Sequence, residues 1–112
     1  MQMSDVKQRI DRIEQCADDA EQAMRGGQVP GELRQSVDQM HAQARQAQQA
    51  AASQAQQGDT TRLRDPVMQL EQATDRARDA CRNASNVDPK LQQAIQKAHQ
   101  EASSLKKELQ MA

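Results

Sequence analysis

The sequence predicts an all-α fold, an antiparallel up-down-up-down four-helix bundle made of two similar helical hairpins. Four stretches of the chain carry apolar residues spaced alternately three and four apart, which is typical of helices that bury one stripe. Three short interruptions with Gly, Pro, Asn or Asp separate these stretches. At 112 residues the chain has room for one domain, so we expect residues 1–112 to share a single core.

A second observation is an internal repeat. Residues 29–44 match residues 87–102, with Val, Leu, Gln, His and Ala at corresponding places. Residues 13–25 match residues 70–82, with Glu, Gln, Asp, Ala and Arg in common. We therefore predict that one hairpin is present in two copies, residues 4–57 and residues 59–112.

The first predicted helix begins at Ser4 or Asp5, because either side chain can cap free backbone amides. It ends at Gly26 and Gly27, because glycine accepts the left-handed conformation of a helix stop. Its apolar stripe consists of Met3, Val6, Ile10, Ile13, Ala17, Ala20 and Met24.

The second predicted helix begins around Pro30 and runs to about Gln57 through a tract rich in Ala and Gln, both adequate helix formers. Its stripe consists of Leu33, Val37, Met40, Ala44, Ala47 and Ala51. Four further alanines widen this face, namely Ala42, Ala50, Ala52 and Ala55. Small side chains allow close packing, so the widened face fits either two neighbouring helices or a second chain. The sequence thus leaves monomer and homodimer open.

The third and fourth predicted helices have different starts. Pro66 either kinks the third helix or marks its start with Asp65 as the cap, whereas Asp88 and Pro89 form a clear cap and first turn. The stripe of the third helix is Leu63, Val67, Leu70, Thr74, Ala77, Cys81 and Ala84. That of the fourth is Leu91, Ile95, Ala98, Ala102, Leu105 and Leu109.

Composition bears on the possible functions. With 15 basic and 16 acidic residues and no aromatic side chain, the chain lacks a basic surface or stacking platform, so we expect neither a nucleic-acid nor a membrane partner. No phosphate-binding loop or zinc spacing appears, and we expect no enzyme activity and no cofactor. Cys16 and Cys81 lie at different levels of the two copies and are expected to remain reduced in a cytoplasmic protein.

One set of residues merits attention as a possible metal site: Glu14, His41, Glu71 and His99. Carboxylate and imidazole groups from all four helices make the set similar to the carboxylate di-iron bundles, a resemblance that would imply two metal ions in the core. Those proteins place Glu three residues before each His, however, and this chain has Asp38 and Gln96 there. The four residues also flank the apolar stripes, so we expect a solvated helix flank with a Glu to His hydrogen bond and no metal.

In each copy two acidic residues lie one helical turn apart: Glu14 and Asp18 in the first, Glu71 and Asp75 in the second. Such pairs are unfavourable unless a cation lies nearby. Arg45 can supply that cation in the first copy, and Ser103 replaces it in the second. With Asp79, the second pair is predicted to form either a solvated stripe or a surface for a basic partner.

The sequence favours a non-catalytic interaction or scaffold module, without indicating its protein partner or pathway. A metal-binding bundle built on Glu14, His41, Glu71 and His99 is one alternative. A self-assembling structural protein, paired through the Ala and Gln helix, is another.

Overall fold

The computed structural model describes residues 2–27, 29–54, 60–84 and 87–111, and the predicted four-helix bundle is confirmed. The helices are α1 (Met3–Met24), α2 (Gly31–Gln54), α3 (Arg64–Asn83) and α4 (Pro89–Met111). A short 3-10 helix, Thr60–Leu63, leads into α3. The helices have 22, 24, 20 and 23 residues, so each is about 30–36 Å long at 1.5 Å per residue.

The order of the helices around the bundle follows their order in the chain. Helix α1 packs against α2 and α4, and α3 packs against the same two neighbours. Contacts between opposite helix ends establish the antiparallel directions: Gln48 donates to Asp11 at 3.0 Å, and the Arg64 Nε donates to the Leu109 carbonyl at 3.0 Å. The groove between α1 and α2 and the groove between α3 and α4 therefore lie on opposite sides of the bundle.

The predicted stripes form the core in three of the helices. Every predicted stripe residue of α2 and α4 is buried, and so is every one of α1 except Met3, which is half-buried at the end of the bundle. Because Ala occupies many of these positions, each helix buries little area but lets its neighbours come close. The spacing of apolar residues thus predicted which side of these helices faces inward.

The stripe of α3 differs from the prediction. Ala73 and Ala80 are buried, whereas Cys81 and Ala84 are only half-buried at the edge of the core. A helix with two neighbours buries a wider face than one seam, and Ala73 lies on the side of α2, beside Gln39 and Gln43. Thr74 is buried as predicted, and its hydroxyl donates to the Glu71 carbonyl at 2.7 Å.

The predicted ends of α1 require correction. The N-cap position belongs to Gln2, and no side chain caps the helix, so Ser4 and Asp5 lie inside the first turn. At the other end α1 stops at Met24, before the glycines. Neither Gly26 nor Gly27 has the left-handed backbone that was given as the reason for the stop.

The other helix starts follow the sequence more closely. Pro66 is the third residue of α3, where its missing amide hydrogen costs nothing because first-turn amides have no intrahelical acceptor. Leu63, not Asp65, holds the N-cap position. The predicted Asp88 cap is confirmed, since its Oδ1 accepts from the Lys90 amide at 2.8 Å. The stretch from 55 to 57, predicted to extend α2, lies outside the described residues.

Candidate functional site

A histidine of the first hairpin lies among three carboxylates in the groove between α1 and α2. Its Nε2 is 3.5 Å from the Glu14 Oε1 and 4.0 Å from the Asp18 Oδ1, and its Nδ1 is 3.7 Å from the Glu21 Oε1. The three acids lie on successive turns of α1 and therefore on one face of that helix. Both ring nitrogens of His41 therefore face carboxylates. The side chain is largely buried, with 15% of its surface exposed.

A fourth carboxylate adds to this cluster from α2. Burial, a side-chain hydrogen bond with Asp38 and the negative charge of Asp38 raise the pKa of Glu21, in that order of size. His41 and Arg25 act in the opposite direction without cancelling the effect. The first groove therefore contains more carboxylate than nearby cations neutralise. We call Glu14, Asp18, Glu21, Asp38 and His41 the acidic cluster.

The second hairpin makes a comparable histidine contact between α3 and α4. The His99 Nε2 is 3.4 Å from the Asp75 Oδ1 and 3.7 Å from the Glu71 Oε1, and the Ser103 hydroxyl is 3.5 Å away. On the other side of the ring, the Arg78 Nη1 lies 3.3 Å from Nδ1. His99 thus faces acids on one nitrogen and a guanidinium on the other.

Cations neutralise the acid pair of the second hairpin. The Arg78 Nη2 donates to the Asp75 Oδ1 at 2.8 Å, and the Lys106 Nζ is 3.6 Å from the Glu71 Oε2. The prediction that Glu71 and Asp75 lack a cation is therefore wrong. Because both acids already have a cation, the contacts disfavour one of the two alternatives for the stripe, a surface for a basic partner. The third acid of that stripe, Asp79, is exposed.

The cation predicted for the first hairpin, Arg45, does not lie beside Glu14 and Asp18. Arg45 forms no ion pair within the described part of the chain, and it is His41 that lies against Glu14 and Asp18. The sequence did contain the signal for this difference: in the matched segments 13–25 and 70–82, Glu21 stands where Arg78 stands. A reversal of charge at one matched place makes one groove acidic and leaves the other neutralised.

The four residues considered as metal ligands do not converge. Glu14 and His41 meet in one groove and Glu71 and His99 in the other, on opposite sides of the bundle. Among the described residues, no three His, Cys, Asp or Glu side chains are arranged to hold a metal ion. Glu and His approach each other in both hairpins, at 3.5 Å for Glu14 and His41 and 3.7 Å for Glu71 and His99. Neither pair forms the expected hydrogen bond, and the His41 Nε2 is buried without a hydrogen-bond partner in the ranges described.

The two cysteines are free and lie in different grooves. Burial raises the pKa of the Cys81 thiol, and burial together with Asp19 and Glu101 raises that of Cys16 against the effect of Lys97. Both therefore remain protonated at neutral pH, which disfavours nucleophilic chemistry. Both side chains are partly buried at the edge of the core, although the predicted stripe of the third helix placed Cys81 inside it.

Comparisons with protein-family models, curated proteins and solved structures find no match to this chain. In the described ranges, no helix is long and apolar enough to cross a lipid bilayer.

Proposed function

We propose that the chain is a non-catalytic protein-interaction module, and that the acidic cluster between α1 and α2 receives a basic segment of a partner protein. The observation that carries the proposal is the contrast between the two grooves. Arg78 and Lys106 neutralise the acids around His99, whereas the acids around His41 exceed the cations near them.

The partner's chemistry follows from this excess. Lys or Arg side chains laid along α1 would meet Glu14, Asp18 and Glu21 at successive turns. Asp18 is the most accessible of the three, with 38% of its side chain exposed, against 22% for each glutamate. Contacts of this exposure are screened by salt, so a partner bound here should dissociate more readily as ionic strength rises.

A titration with a labelled Lys- and Arg-rich peptide tests the proposal. We expect saturable binding that weakens with added salt, and a loss of about tenfold in affinity in the double variant Glu14→Gln, Glu21→Gln. The matched control, Glu32→Gln with Asp65→Asn, removes two charges elsewhere and should bind like the wild type. If both double variants lost affinity equally, the binding would depend on the net charge of the protein and not on the acidic cluster, and the proposal would be refuted.

A metal-dependent function gains no support from any contact. The sets around His41 and His99 are separate, and the second is occupied by Arg78 and Lys106. A cation already paired with the carboxylates leaves less room and less negative charge for a metal ion.

A further inference from the structure

A second, basic groove lies near the turn that joins α3 and α4. It encloses about 220 Å³, with Arg78 and Arg82 on the side of α3 and Gln92 and Gln96 on the side of α4, above the buried Ile95. Pockets for drug-sized ligands have about 300–1,000 Å³. This groove therefore suits a single small group rather than a nucleotide or an organic cofactor.

The groove has arginine donors that no acceptor of the described chain occupies. The Arg78 Nη atoms are used by Asp75 and His99, but its Nε is buried with no hydrogen-bond partner. Arg82 is exposed and forms no ion pair or hydrogen bond with the rest of the described chain. Two guanidinium groups thus face a space that contains no carboxylate of α4, since both facing residues are glutamines.

Comparison with the first hairpin shows that the groove between α3 and α4 has no carboxylate at two matched places. At the matched places it has Glu21 for Arg78 and Asp38 for Gln96, and it keeps an arginine, Arg25, for Arg82. There the charge of Arg25 lies close enough to lower the pKa of Glu21, which burial and Asp38 raise. The first hairpin therefore has a carboxylate, Glu21, near Arg25, whereas the second has a further guanidinium, Arg78, at the place that matches Glu21.

We propose that the groove formed by Arg78, Arg82, Gln92 and Gln96 binds an oxyanion, the carboxylate or phosphate group of a small ligand. The guanidinium of Arg82 presents paired donors in a planar fork that matches two oxygens of such a group. The Arg78 Nε and the Gln96 amide supply further donors to the remaining oxygens. The Gln92 amide already donates one hydrogen to the Val87 carbonyl at 3.4 Å and has a second hydrogen left. The proposal is independent of the acidic cluster, which lies on the opposite side of the bundle.

Titrations followed by backbone amide chemical shifts test this site. At fixed pH and ionic strength, inorganic phosphate is added in one series and N-acetylglutamate amide in another. We expect saturable shifts concentrated in residues 78–84 and 92–96. Arg82→Gln should weaken binding about tenfold, because it removes charge-assisted hydrogen bonds. The matched control is Arg76→Gln, an identical change on the same helix but facing α2, and it should alter binding less than about twofold.

The two series distinguish the source of the oxyanion. Saturation by phosphate supports a phosphate-type ligand, and saturation by the glutamate derivative alone supports a carboxylate. Absence of saturation in both series would overturn the proposal. So would equal weakening in Arg82→Gln and Arg76→Gln, which would indicate a general effect of charge, or unchanged binding in Arg82→Gln. None of these results bears on the peptide titration, so the two proposals can fail separately.

Discussion

Glu21 is the residue whose ionisation the fold opposes most clearly. Because burial and Asp38 raise its pKa above the ordinary 4.5, the folded chain holds this proton more tightly than the unfolded chain. The carboxyl therefore contributes stability below pH 4.5, and that contribution is lost as the pH rises through the folded value. At neutral pH the ionised group is unfavourable beside Asp38.

Glu21→Gln should accordingly stabilise the protein at neutral pH by a few tenths of a kcal/mol. The gain should vanish below pH 4.5, where the wild-type carboxyl is neutral as well. Chemical denaturation at pH 7 and pH 4 measures both values. Asp38→Asn relieves the same repulsion, so the double variant should gain less than the sum of the single variants. Strict additivity, or a loss of stability at pH 7, would contradict the coupling.

The histidines provide a second test at this scale. Since His41 and His99 lie in separate grooves, added zinc, iron or manganese should leave the melting temperature unchanged. An ion that binds only the folded state, at 100 times its dissociation constant, would add about 2.7 kcal/mol. A rise in melting temperature that disappears in His41→Ala and His99→Ala would instead establish a metal site.

Residue-level prediction succeeded where periodicity decides the outcome. Val37 and Ile95 are buried because their places in the apolar stripe face inward whatever their neighbours do. The contacts of long side chains were less predictable. Lys106 reaches Glu71 across the groove, and Arg78 bridges Asp75 and His99, because of rotamers and helix register that spacing does not fix.

At the scale of single helices, the cap of α4 is the feature most open to measurement. The Asp88 carboxylate accepts from the Lys90 amide, one of the first-turn donors that have no partner within the helix. Asp88→Ala should therefore destabilise the protein by about 1 kcal/mol, a fall of several degrees in melting temperature.

The matched control for the cap is Ser4→Ala in α1. Ser4 also stands near a helix start but caps nothing, because Gln2 holds the N-cap position without a side-chain bond. This change should cost less than about 0.5 kcal/mol. A loss equal to that of Asp88→Ala would show that Ser4 caps α1 in solution. Residue type alone does not separate these two positions, because a capping side chain acts only if the chain enters the helix at that residue. The proline that follows Asp88 is the added signal that the sequence offers at the second position.

For the whole molecule, the sequence was sufficient to predict the helix order and the bundle. Four helices that each carry one apolar stripe, joined by short connections, have few other ways to bury their apolar faces. The repeat remains a prediction: residues 6–54 should superpose on residues 63–112, with His41 over His99. The asymmetry between the grooves could be predicted only in part, since it depends on the charges at matched places and on which carboxylates the long side chains reach.

The alanine face of α2 connects the fold to the oligomeric state. Ala50 is half-buried against the core, whereas Ala42 and Ala52 are exposed. The face predicted from the sequence is therefore divided, with one part packed inside the bundle and another part at the surface. The two parts can be tested separately because the same substitution can be made at Ala50 and at Ala52.

Ala50→Glu should lower the melting temperature, because a charged side chain at the edge of the core loses solvation and disturbs packing, at a cost of about 1–3 kcal/mol. Ala52→Glu is the matched change at an exposed position and should alter stability by less than about 0.5 kcal/mol.

If α2 packs only within its own bundle, light scattering should give the mass of a monomer for the wild type and both variants. A wild-type dimer that Ala52→Glu converts to a folded monomer would identify the exposed alanines as a surface for a second copy. That result would favour self-assembly over the proposed binding of a basic partner, because small side chains allow two helices to approach closely without any charged contact.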